Sequence, residues 1–142
     1  MSLLLASKLE LVFKNNVLPS FDEILKPIMY VRADDEPVVF LSKIYPFDEI
    51  TEDKEYFIDE ILLHLSDEGR SALFPKVFQY FLNGADRTSN LFSSFEDLFY
   101  DYQSVRPKRP TRDWLASMTE EQLFVIEEVV FVLFGLKKAN VT

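Results

Sequence analysis

TEEQLFVIEEVVFVLFGLKK, residues 119–138, decides the fold. Thr119 and Gln122 stand at the spacing of a capping box, in which each side chain satisfies an orphan backbone donor at the other's position. The helix they open is apolar nearly all round over residues 123–136, with Glu127 and Glu128 as its only charges after the first turn. Lys137 and Lys138 follow where the helix macrodipole favours cations. A helix with no wide water-facing stripe has to be covered by others, so it predicts an all-α bundle built around it.

Upstream, Leu91, Phe92, Phe95, Leu98, Phe99 and Tyr102 repeat at i, i+1, i+4, i+7, i+8 and i+11, a clean amphipathic helix. Between the two, residues 104–112 carry Pro107 and Pro110 among Arg106, Lys108, Arg109 and Arg112 and read as a rigid, exposed basic connection. Further back, Ser71 is placed to cap a helix with Pro75 in or near its first turn, where a missing donor matters least. Ala72, Leu73, Val77, Phe78, Phe81 and Leu82 form its buried side, and Asn83 and Gly84 close it.

Over residues 52–65, Phe57, Ile58, Ile61, Leu62 and Leu65 share one helical face and Glu52, Glu55, Asp59 and Glu60 the other. Tyr56 and Leu63 fall on one line inside the acidic face, either as an exposed apolar pair or as contacts for a neighbouring helix. Residues 38–41 are short and β-branched, a strand or an extended connection between Pro37 and Pro46. Ser20 and Glu23 form another capping box and start a helix at Phe21, which Pro27 ends or kinks. Leu5, Leu9, Val12 and Phe13 stripe the first helix, and Asn15 and Asn16 suit its end. The chain thus reads as one all-α domain over residues 1–142, a bundle of about six or seven helices around the apolar C-terminal one.

Composition narrows the function. The 142 residues include no cysteine, one histidine and three isolated glycines, which excludes a disulfide scaffold, a cysteine-ligated zinc site and a glycine-rich phosphate loop. With 48% hydrophobic residues the chain can bury a sizeable core, and the apolar run at 129–135 is far short of the roughly 20 residues a membrane span needs. Residues 1–13 lack a basic leader region, and Lys8 and Glu10 interrupt them, so a cytoplasmic protein is expected.

The net charge is −9, yet it is not spread evenly. Residues 34–68 hold 12 acidic and 2 basic groups, whereas residues 1–33 are nearly neutral and residues 69–142 balance. The acidic stretch runs from Asp34, Asp35 and Glu36 through Asp48, Glu49, Glu52, Asp53, Glu55, Asp59 and Glu60 to Asp67 and Glu68. Such a field costs stability through self-repulsion, and it either keeps a surface solvated or speeds encounter with a basic partner.

Catalytic arrangements find few residues here. A serine triad would need His64, which lies at the edge of an apolar stripe one turn after Glu60 and reads as a boundary residue. Carboxylates such as Glu52, Glu55 and Asp59 share a helical face without the ordered loop that Mg²⁺ or Ca²⁺ sites use, so neither metal nor cofactor is expected. Nucleic-acid binding would rest on residues 106–112 alone, against a negative remainder. What remains is a non-catalytic binding protein, monomeric on its own. Its tool is the acidic stretch, with Tyr45, Phe47, Tyr56 and Leu63 as anchors of the aromatic or apolar kind that interfaces favour. The alternative is an adaptor domain, monomeric or homodimeric, that binds through Phe-rich surfaces.

The size, the absence of cysteine, the acidic stretch at 34–68 and the lack of catalytic residues resemble the small immunity proteins of bacterial toxin systems, in particular those of contact-dependent growth inhibition. The resemblance is one of profile over the whole chain. It implies a protein that neutralises a cognate toxin, a basic nuclease (RNase) domain, either by covering its phosphate-binding cleft or by distorting it allosterically. A second, partial likeness concerns Ala72-Leu73-Phe74-Pro75 with Phe78, Tyr80 and Phe81, then Asp113-Trp114-Leu115 and residues 119–122. These are similar to segments of a bacterial family with an aromatic-Leu-Pro helix before a C-terminal helix, and that family implies no activity.

Overall fold

Hydrophobic spacing turns most of this chain into helix, and the computed structural model describes residues 2–26, 35–100 and 109–135. Among these there are eight α-helices: α1 Ser2–Phe13, α2 Phe21–Ile24, α3 Glu36–Ser42, α4 Glu55–Ile61, α5 Asp67–Leu82, α6 Asn90–Tyr100, α7 Arg109–Ala116 and α8 Glu120–Phe134. No strand occurs among them, and a single antiparallel bridge joins Leu25 to Leu65. Expectations for Pro27, Tyr102, Arg106, Pro107, Lys108, Lys137 and Lys138 fall outside the described residues.

Both capping boxes form. Ser20 and Glu23 open α2, and the Thr119 hydroxyl accepts from the Gln122 backbone N–H at 3.1 Å while the Gln122 side chain accepts from Thr119 N–H at 3.2 Å. The same Gln122 amide donates to the Val12 carbonyl at 3.0 Å, and Lys8 lies 4.0 Å from Glu128. Residue numbers rise on one helix as they fall on the other, so α1 and α8 pack antiparallel.

The elements depart from the expected ones in particular places. Residues 38–41 are neither strand nor connection: they belong to α3, which Asp35 precedes and Pro37 opens from its first turn. The helix buries Leu41 and sets Val38 and Phe40 against the core, and that packing outweighs the β-branched propensity. Next, α5 starts four residues before Ser71. Ser66 is its N-cap, accepting from Gly69 N–H at 3.0 Å, and Pro75 lies inside the helix with its ring buried. The helix read over 52–65 is split into a 3-10 turn at Glu52–Lys54, α4, and a second 3-10 turn at Leu62–His64. Finally, the connection read as rigid up to residue 112 is already helical from Arg109.

The enclosed helix is α5 rather than α8. It packs on α1, α2, α7 and α8, and its Phe74, Phe78 and Phe81 meet Phe95, Phe99 and Phe92 of α6 mostly edge to face at 4.8–6.1 Å. Trp114 of α7 closes the cluster 5.0 Å from Phe74, and its buried indole N–H donates to the Ser71 hydroxyl at 2.8 Å. α8 supplies Val125, Ile126, Val129, Val130 and Leu133 to the core, but its Phe124, Phe131 and Val132 face outward. On the other side of the molecule's aromatic centre, α4 packs between α3 and α6.

A clasp ties the N-terminal part to the α4–α5 junction. Ser66 N–H donates to the Ile24 carbonyl at 2.8 Å, and Lys26 N–H donates to the His64 carbonyl at 3.0 Å. The Ser66 hydroxyl also donates to that Ile24 carbonyl at 2.9 Å. The approach is so close that a Cβ on Gly69 would stand 2.2 Å from the Ile24 oxygen, so only glycine fits.

Candidate protein-binding surface

The acidic stretch is continuous in sequence but not on the surface. Asp34 lies outside the described residues. Asp35 is half-buried ahead of α3, and Glu36 is exposed in its first turn, where the positive end of the macrodipole stabilises it. Asp48 and Glu49 are exposed in the loop before Glu52. Asp48 borders a groove with Glu10, Lys14, Pro75 and Lys76, on the α1–α5 side. Lys54 donates to the Glu49 backbone carbonyl at 2.7 Å, which leaves the Glu49 carboxylate to solvent. The Thr51 hydroxyl donates to Asp53 and holds its pKa below the ordinary carboxylate value.

Glu52 and Glu55 turn toward a cleft of about 680 Å³ between the 3-10 turn and the end of α5, where they meet Tyr80 and Asp86. The Tyr80 hydroxyl donates to Glu55 at 2.5 Å. Burial, then that hydrogen bond to a carboxylate, raise the Tyr80 pKa well above the usual phenol value.

α4 presents a different face toward α3. Tyr56 is 60% exposed, its ring 5.7 Å from Phe40 of α3 and 5.6 Å from Phe57, edge to face with both. Val39 of α3 is exposed beside Phe40 in sequence, and Glu60 and Asp59 follow Tyr56 by one helical turn, Asp59 half-buried. Leu63 is 67% exposed on the second 3-10 turn. Tyr56 and Leu63 therefore stand on the surface, Tyr56 one turn before Glu60 and Leu63 where the Lys26 ammonium donates to its backbone carbonyl at 3.3 Å.

The other two anchors behave differently. Phe47 is 1% exposed and belongs to the core, with its backbone held at φ +71° by the turn it completes. It is not presented to a partner. Tyr45 is half-buried between Phe21 and Phe47, and its hydroxyl donates to the Pro19 carbonyl at 2.6 Å. It fastens the loop rather than facing outward. Sequence reasoning missed Val39 and Phe40, because residues 38–41 carried no helical period of their own, and it missed Tyr80 and Asp86, which only the fold brings to Glu55.

Asp67 and Glu68 have structural roles in the first turn of α5, where Asp67 accepts from the buried Arg70 at 2.7 Å. His64 is half-buried; desolvation, then Lys26, lower its pKa, against the opposite pull of Glu60. Among the described residues no group of three or more His, Asp or Glu is placed to hold a metal ion, and no helix is long and apolar enough to cross a membrane. No family model, curated protein or solved structure matches the chain.

Proposed function

We propose that this protein is an immunity-type inhibitor that binds and neutralises a basic protein, a nuclease toxin domain, in the cytoplasm of the cell that makes it. The observation that carries the reading is the α3–α4 face, where Tyr56, Leu63 and Val39 stand exposed, with Glu36 one turn before Val39 and Glu60 one turn after Tyr56. An apolar anchor ringed by charge is the usual anatomy of an interface hot spot. Carboxylates of one sign steer a cationic partner onto it, and they stand where the phosphates of a nuclease substrate would bind. Glu52, Glu55 and Asp48 belong to neighbouring surfaces and contribute field rather than contact.

Capture of proteins from a bacterial lysate at low salt, followed by a salt gradient, tests the reading. A basic nuclease domain released by moderate salt, and inhibited at one-to-one stoichiometry, is the expected result. Tyr56→Ala combined with Glu60→Lys should abolish the inhibition while leaving the helical circular dichroism unchanged. Retention of inhibition by that variant would remove α3–α4 as the contact face.

A further inference from the structure

We infer that α1 and α8 form a second interaction face, whose occupant is another copy of this chain, paired by a two-fold axis running along the helices. The inference is independent of the α3–α4 reading, because the two faces share no helix. On α1, Leu4 is 62% and Leu11 60% exposed, with Lys8 between them at helical spacing. On α8, Phe124 is 72% exposed, Phe131 and Val132 are exposed a little further along, and Glu128 lies between. The Lys8–Glu128 ion pair joins the two rows across the surface. Together they make an apolar face with one charge of each sign at its middle.

That arrangement is self-complementary in one orientation. Because α1 and α8 are antiparallel, a two-fold axis along the helices lays α1 of one copy over α8 of the other in the same antiparallel sense. Leu11 then faces Phe124, Leu4 faces the Phe131–Val132 end, and each Lys8 meets the other copy's Glu128. The axis perpendicular to the helices would instead set Lys8 on Lys8 and Glu128 on Glu128, and like charges disfavour it. By helix rise, α1 and α8 run about 18 and 22 Å and lie about 10 Å apart, so the face is at the small end of specific interfaces.

Sedimentation of the full chain across a micromolar concentration series tests the pairing. The mass should rise from 16.6 kDa to twice that value. Phe124→Glu should weaken the dimer at least about 30-fold, as loss of a central aromatic anchor does, with unchanged circular dichroism. Lys8→Glu and Glu128→Lys should each weaken self-association, yet an equimolar mixture of the two should pair at low salt, since only the mixed dimer matches both charges. A native chain that stays monomeric overturns the pairing and leaves the face to a different protein or to residues 136–142. A dimer that survives Phe124→Glu, or a mixture no tighter than either variant alone, overturns it too.

Discussion

Gly69 lies so close beneath the Ile24 carbonyl that a methyl group there must displace backbone. Gly69→Ala is therefore expected to lower the urea midpoint, at a cost of about 1–3 kcal/mol for overpacking. Ser66→Ala removes both the α5 cap and the hydroxyl that reaches Ile24, and should cost about 1–2 kcal/mol. Since both residues serve one clasp, the double variant should lose less than the two losses added together, which denaturation of all four proteins would show. His64 acts through pH. Its folded pKa is lowered, so the unfolded chain binds more protons in that range, and stability falls as pH drops through the ordinary histidine value of 6.5. Urea midpoints at pH 7.5 and 5.5 should differ less in His64→Gln than in the native chain, because the carboxylates common to both cancel.

At the scale of elements, the surface helices and the enclosed one report different things. Tyr56→Ala and Val39→Ser alter exposed side chains and should shift stability by no more than about 0.5–1 kcal/mol in urea, so any loss of partner binding reads recognition rather than folding. Helix α6 and both capping boxes were legible in sequence, because an amphipathic period and a box at fixed spacing are local signals. Helix α3 was not: its residues 38–41 are β-branched and short, and only α4 and the core beneath them favour the helix. The start of α5 was hidden for a related reason. Ser71 reads as the cap in sequence, and Ser66 takes that place because its hydroxyl reaches Ile24, 42 positions away in the chain. Ser71 serves instead as the acceptor for Trp114.

For the whole molecule, the all-α class was readable from period alone, whereas the place of α8 was not. An apolar sequence means that a helix avoids water somewhere, either inside its own chain or against another, and α8 divides its apolar residues between the two directions. The acidic stretch was likewise visible as a count but not as a surface. Folding fans it out, with Asp48 to one groove, Glu52 and Glu55 to a cleft, and Glu60 beside Tyr56. A partner bound through this field should associate more slowly as ionic strength rises, with dissociation changing less, and stopped-flow measurements over a salt series would show it.

The single tryptophan has a practical consequence. Trp114 is sealed from water where α5, α6 and α7 meet, with the rings of Phe74 and Phe99 nearly perpendicular to it and a serine hydroxyl on its nitrogen. The molecule therefore carries one intrinsic optical probe, emitting in the blue while those helices stay docked and shifting to the red when they part. Because Tyr56, Leu63 and Phe124 lie on the surface away from that indole's shell, occupation of either face should leave the emission colour unchanged. A colour change on adding a partner would report that the core itself has opened.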